Sequence, residues 1–151
     1  MRALSLWRPW PWAFFHAGKR VENRSWPPPA GIIGEWVAMH AAQRYDVDAA
    51  VRMLNGDFGA SAIMCPRDDD HPTGIVGAFL VHGAFELGST RRVGRVTAAD
   101  MLSRYAFGPW CWVTPNVIQL AEPIPCKGKQ GLWTLPADIE ERVRAQIERA
   151  A

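Results

Sequence analysis

The sequence predicts an α+β fold, a small mixed β-barrel with flanking helices. Three observations predict it. About five or six short segments have strand character, spread from Ala3–Leu6 to Gly131–Leu135, with helical segments between them. Gly74–Phe85 is nearly continuous in apolar residues, as a strand buried on both faces would be. The end of the chain places Ile139, Val143 and Ile147 at i, i+4 and i+8, with Glu and Arg on the other faces. At 151 residues the chain reads as one domain, residues 1–151, with the barrel over about 3–136 and a C-terminal helix over 137–150.

Taken in order, Ala3–Leu6 alternates as a short strand. Pro9 and Pro11 suit the first turn of a helix, where a missing N–H costs nothing, and Gly18 is a natural stop for it. Lys19–Trp26 reads as a polar, partly extended segment, followed by a stiff loop at Pro27–Pro29 and Gly31. Ile32–Met39 is expected as a strand and Ala41–Leu54 as a helix, with Val47, Ala50, Val51 and Leu54 at helical spacing. Residues 56–73 read as an exposed loop, and Gly88–Arg95 as a basic, glycine-containing one. Thr97 is the expected N-cap of a short helix over Ala98–Tyr105. Trp110–Val113 and Val117–Leu120 are two more strands, and Pro123 and Pro125 mark an edge or bulge.

The bulk numbers exclude more than they assign. A net charge of +2, from 17 basic and 15 acidic residues, is too mild to announce a polyanionic partner, so any basic surface must be local. Cys65, Cys111 and Cys126 form neither a disulfide framework nor a paired metal knuckle. They read as reduced and mostly buried, in keeping with a cytoplasmic chain. No apolar run reaches the roughly 20 residues of a membrane span. The N-terminal stretch is interrupted by Trp and Pro and does not read as a signal peptide. Asp68–Asp70 with His71 reads as a solvated loop, because adjacent acids point in different directions; no metal or cofactor is expected.

Two clusters carry chemistry. Lys19, Arg20, Glu22 and Arg24 put three cations and an acid within six residues. In an extended segment Lys19 and Val21 share one side, and Arg20, Glu22 and Arg24 the other. A carboxylate between guanidiniums favours its charged form and can hold an Arg fork for a phosphate or a base edge. The same pattern fits a surface ion pair worth little. The second cluster, Lys127, Gly128, Lys129, Gln130 and Gly131, combines close backbone approach with point charges suited to phosphates. It lacks P-loop spacing and fits a solvated hairpin turn equally well. Eight tryptophans serve a small core, and one or two on a rim could stack on a base.

Leu4-Ser5-Leu6-Trp7-Arg8-Pro9-Trp10 followed by Gly18-Lys19-x-x-Glu22-x-Arg24-x-Trp26 resembles the opening of ASCH domains, the activating-signal-cointegrator-1 homology family. Gly34–Ala41, Gly74–Gly77, Gly108–Val113 and Pro123–Trp133 resemble its later strands in the same order, so the likeness spans most of residues 3–136. The resemblance implies a PUA-like barrel that binds RNA or single-stranded DNA and holds an unpaired or modified nucleotide in a cationic cleft. Carried over by position, Lys19, Glu22 and Arg24 line that cleft, Lys127, Lys129 and Gln130 stand on its rim, and Arg8 and Trp26 are neighbours. Some small members of the family resemble amidohydrolases of N4-acetylcytidine, which pair the lysine with a threonine three residues on. Glu22 occupies that place here, so the matching hydroxyl is missing, and Lys19 with Glu22 is the candidate catalytic pair. Ribonuclease activity is also linked to the family, and His40 is the remaining acid–base candidate for it, though the position fits a satisfied barrel histidine as well. The expectation is a monomer. A third reading is a protein adaptor that uses the C-terminal helix or the Ala41–Leu54 helix as its face.

Overall fold

A computed structural model describes residues 1–151. The fold is mixed α+β, with two sheets and four α-helices. The elements are β1 (Arg2–Arg8), α1 (Trp10–His16), β2 (Val21–Arg24), β3 (Trp36–Tyr45), α2 (Val47–Leu54), β4 (Gly74–Leu80), β5 (Gly83–Glu86), β6 (Arg92–Gly94), α3 (Ala98–Met101), β7 (Trp110–Val113), β8 (Asn116–Ile124), β9 (Leu132–Thr134) and α4 (Ala137–Ala150). One sheet has the order β8-β4-β3-β1-β9 and the other β2-β7-β5-β6; neither closes on itself. No helix is long and apolar enough to cross a membrane.

The local signals act where they stand. Pro11 lies in the first turn of α1, Ala17 caps its end, and Gly18 turns the chain with φ at 70°. Thr97 caps α3 in a capping box with Asp100, although the helix stops at Met101 rather than Tyr105. Pro123 lies in β8, an edge strand, where its missing N–H costs no ladder bond.

The structure departs from the expected elements at four places. The strand expected at Ile32–Met39 begins only at Trp36, because Ala30–Ile32 is a 3₁₀ turn and Gly34 stands at φ 85°. It then runs on to Tyr45, so Ala41–Tyr45 is strand rather than helix. Ala41 and Ala42 pair with Leu6 and Trp7 of β1, and that ladder outweighs the helix propensity of alanine. Helix α2 starts at Val47, where the Asp46 side chain accepts the Ala49 N–H at 2.9 Å. The single strand expected over Gly74–Phe85 is two strands in different sheets. The handover lies at Val81 and His82, whose N–H groups bond Glu35 O at 3.1 Å and Val113 O at 2.8 Å. Arg92–Gly94, expected as loop, pairs antiparallel with β5.

The two sheets share one core. Leu4, Leu6, Val37, Met39, Val76 and Phe79 from the larger sheet meet Ala84, Trp110 and Trp112 from the smaller one, with Phe14 of α1 between them. The opposite face of the larger sheet is covered by α4, through Ile139 and Val143 against Ile75, Leu120, Ile124 and Trp133. This double cover explains why β4 is apolar on both faces. The Gln146 side chain donates to Glu122 O at 2.9 Å and accepts from Glu122 N at 3.0 Å, so α4 also satisfies part of the β8 edge.

Candidate functional site

The smaller sheet ends at β2, and the chain entering it builds the most unusual feature of the protein. Glu22 and Arg24 alternate with Val21 and Asn23 and so share a face, as an extended segment requires. Lys19 precedes the strand, is only 2% exposed, and joins Glu22 instead of lying opposite it. Arg20 takes the other direction, donating to Phe14 O at 2.7 Å and Lys19 O at 2.6 Å. Glu22 divides its carboxylate: Oε2 is 3.3 Å from Lys19 Nζ and Oε1 is 3.1 Å from Arg24 Nη2. Arg24 Nη2 also donates to Ser5 O at 3.1 Å, and Lys19 Nζ donates to Val21 O.

The Lys19 ammonium lies 4.4 Å from the centre of the Phe14 ring and 5.4 Å from that of Trp10. These aromatic faces stabilise a desolvated cation, each by about 0.5–2 kcal/mol. Burial still pulls Lys19 below the usual lysine range, and the Glu22 carboxylate opposes that pull.

This cluster forms the floor of a cleft of about 530 Å³ lined by Trp7, Trp10, Lys19, Glu22, Asn23, Phe107 and the first turns of α2. A side pocket of about 200 Å³ continues past Arg24 to Ser5. Several of these residues escape a reading of the sequence. Asn23 donates to Tyr105 O at 2.8 Å and accepts from the N–H groups of Phe107 and Gly108 at 2.8 and 2.9 Å, which fixes Phe107 on the rim. Trp10 Nε1 donates to Asp46 Oδ2 at 3.2 Å, tying the wall to the cap of α2. Trp7 is 43% exposed and carries the Arg44 guanidinium over its ring at 3.7 Å. Trp7, Trp10 and Asn23 lie inside the two opening motifs, and the two tryptophans are among those that could stack on a base from a rim. Phe107, Asp46, Asp48 and Arg52 come from distant segments and had no such signal.

The other expected residues lie elsewhere. Lys127, Lys129 and Gln130 line a separate groove of about 630 Å³ with Ser5, His40, Gln43, Thr73 and Gly128. It adjoins the cleft through Ser5, which lines both the groove and the side pocket. Arg8 is spent on structure. It pairs with Asp68 at 2.6 Å and donates to Ala42 O at 2.9 Å, to Asp68 O at 3.0 Å and to Gln43 O, pinning the 66–71 loop to β3. Trp26 packs edge-on against Trp112 at 4.9 Å and accepts its indole N–H at 3.0 Å, so it supports the wall of β2 rather than lining the cleft. The chain has three free cysteines, of which Cys111 is buried and Cys65 and Cys126 are half-buried.

His40 stands under the groove, not in the cleft. Its Nε2 is 2.9 Å from Cys126 O, an arrangement in which the ring nitrogen donates, and Nδ1 is buried without a partner. Burial pushes its pKa below 6.5. In that case the unfolded chain binds a proton that the folded chain does not, so stability is full above pH 6.5 and falls as pH drops through the native pKa. His71, lowered by burial as well, acts in the same direction. His40→Gln is expected to flatten part of the fall in urea midpoint on acidification from about pH 7 to about pH 5. An unchanged slope in that variant would remove His40 from the account.

The fold and the cluster together define an α+β protein of two packed sheets with a buried Lys–Glu pair and a half-buried Arg at the β2 edge. No protein-family model matches the chain, and no curated protein matches it as a relative.

Proposed function

We propose that the chain is a PUA-like domain of the ASCH kind that holds an unpaired or modified nucleotide of RNA or single-stranded DNA. The observation that carries this reading is the buried Lys19–Glu22 pair on the floor of an aromatic-walled cleft, with half-buried Arg24 beside it. The cleft, at about 530 Å³, is within the range of small-ligand pockets. Trp7, Trp10 and Phe107 supply faces for stacking, and Glu22 supplies an acceptor for the amino or imino edge of a base. Two sheets sharing one core, with β1 and β3 parallel and the other ladders antiparallel, support the barrel-like class.

The test is a titration of tryptophan fluorescence with single-stranded oligonucleotides. Glu22→Gln keeps the shape of the side chain and removes its charge. It is expected to weaken binding by about tenfold or more, the loss of one charge-assisted hydrogen bond. Equal affinity in the two proteins would remove the cleft from the binding site.

One observation favours a second reading, a hydrolase acting on N4-acetylcytidine-type nucleosides or on RNA. A lysine with a lowered pKa beside a carboxylate at 3.3 Å is a general-base arrangement. Lys19 with Glu22 would activate a water for attack on the acetyl carbonyl, releasing acetate and cytidine. Release of acetate that disappears in Lys19→Met would establish it; no acetate from the unmodified protein would end it.

A further inference from the structure

The sequence reading places one cationic cleft at this site, and the structure divides the charge between two. In the cleft and its side pocket, Lys19, Arg24 and Arg52 face Glu22, Asp46 and Asp48, three cations against three carboxylates. Both oxygens of Asp46 are occupied, by Ala49 N and Trp10 Nε1, while Asp48 lines the cleft and forms no ion pair. A phosphate gains little there. The adjoining groove is the reverse. Its lining includes Lys127 and Lys129 and no carboxylate, and neither lysine forms an ion pair. Ser5, Gln43, Thr73 and Gln130 add neutral donors.

The groove is also built on a fixed backbone. Ser5 Oγ donates to Lys129 O at 2.9 Å, and His40 Nε2 holds Cys126 O at 2.9 Å. Between those two ties Gly128 lies so close that a Cβ would meet His40 Cε1 at 2.4 Å and Ser5 Oγ at 2.8 Å. The strand residue Ser5 thus anchors the lysine loop through its side chain and Arg24 of the cleft through its carbonyl. Two compartments of different chemistry are joined at one residue, one aromatic-walled with cations and carboxylates in balance, the other cationic and free of acid. Such a pair matches the alternation of base and phosphate along a single strand.

We infer that the ligand is a single-stranded polynucleotide bound across at least one phosphodiester, its base in the Lys19 cleft and the neighbouring phosphate in the Lys127–Lys129 groove. This rests on the base-holding reading of the cleft and names its substrate class: a nucleic-acid strand and not a free nucleoside. A nucleoside reaches only the cleft, so it forgoes every groove contact.

The experiment measures affinity of the unmodified protein, of Lys127→Ala/Lys129→Ala and of Glu22→Gln for three probes: cytidine, a labelled single-stranded oligoribonucleotide and the matching oligodeoxyribonucleotide. The double lysine variant is expected to lose about tenfold or more in oligonucleotide affinity, with the log–log salt slope shallower by about 0.7 for each lysine, and nothing in cytidine affinity. Glu22→Gln is expected to weaken both classes of probe. The two oligonucleotides separate RNA from DNA as the source of the phosphodiester. If the lysine variant binds oligonucleotide as tightly as the unmodified protein, or loses cytidine to the same degree, the groove inference is overturned and the base-holding reading stands. If the lysine variant loses oligonucleotide while Glu22→Gln changes nothing, the base-holding reading fails and the two-compartment strand fails with it. No oligonucleotide binding at all overturns both.

Discussion

Glu22→Ala is expected to destabilise the fold by about 3–5 kcal/mol, because it leaves the desolvated Lys19 ammonium without its counter-charge. Lys19→Met is expected to cost far less. Methionine fills the channel between Phe14 and Trp10 with an uncharged chain of similar length, and Glu22 keeps its pair with Arg24 at 3.1 Å. What remains is the lost donor to Val21 O, about 1–3 kcal/mol, set against release from burying a charge. The two variants therefore separate stability from function: Lys19→Met folds and is expected to fail in binding. Urea unfolding at neutral pH reads the difference directly. A Lys19→Met protein as unstable as Glu22→Ala would show that the charge and donor of the lysine hold the fold, because methionine keeps the packing.

The same pair has a signature in alkali. Burial lowers the Lys19 pKa in the folded state below its ordinary 10.5. Between the native pKa and 10.5 the unfolded chain keeps a proton that the folded chain has released. Stability from this group therefore rises with pH across that window, by at most about 1.4 kcal/mol per pH unit. Lys19→Met is expected to lack this rise.

Trp112→Ala is expected to cost about 3–5 kcal/mol and to impair binding as well. Trp112 is fully buried where the two sheets meet, and its register partner across the β2–β7 ladder is Glu22. Its indole also donates to Trp26 O at 3.0 Å and meets the Trp26 ring edge-on, which holds the chain leaving β2. Removing the ring leaves a cavity beside Glu22, on the same face of the β2–β7 ladder. Trp112→Phe retains most of the volume and loses the N–H, so its cost is expected nearer 1–2 kcal/mol, with binding largely kept. Chemical denaturation and the oligonucleotide titration check both. A Trp112→Ala loss below about 1 kcal/mol would contradict the packing of the two sheets.

The candidate site was legible in part. Charge spacing marks Lys19, Arg20, Glu22 and Arg24 within six residues but fits a surface ion pair as well, and only the resemblance to ASCH domains singles out Lys19, Glu22 and Arg24. Their geometry was not legible: the extended pattern put Lys19 opposite Glu22, whereas the chain enters β2 only at Val21 and swings the lysine inward beneath Trp10 and Phe14. Arg8 and Trp26 belong to the same motifs, but tertiary partners occupy both, the 66–71 loop for one and Trp112 for the other.

The features legible in the chain are those that depend on near neighbours. Pro11 and Gly18 bound α1, Thr97 caps α3, and the spacing of Ile139, Val143 and Ile147 makes α4. Each acts within a turn or two of chain, where backbone sterics and capping bonds operate. Long-range pairing divides Gly74–Phe85 between two sheets and makes Ala41–Tyr45 strand. The packing of distant segments likewise puts Lys127 and Lys129 in a groove of their own beside the Lys19 cleft. An apolar run buried on both faces has no period to reveal its bend, and a β-ladder draws on residues far away in the chain. Charge pattern along a sequence does not say which cations share a cavity, because folding brings Ser5 between them.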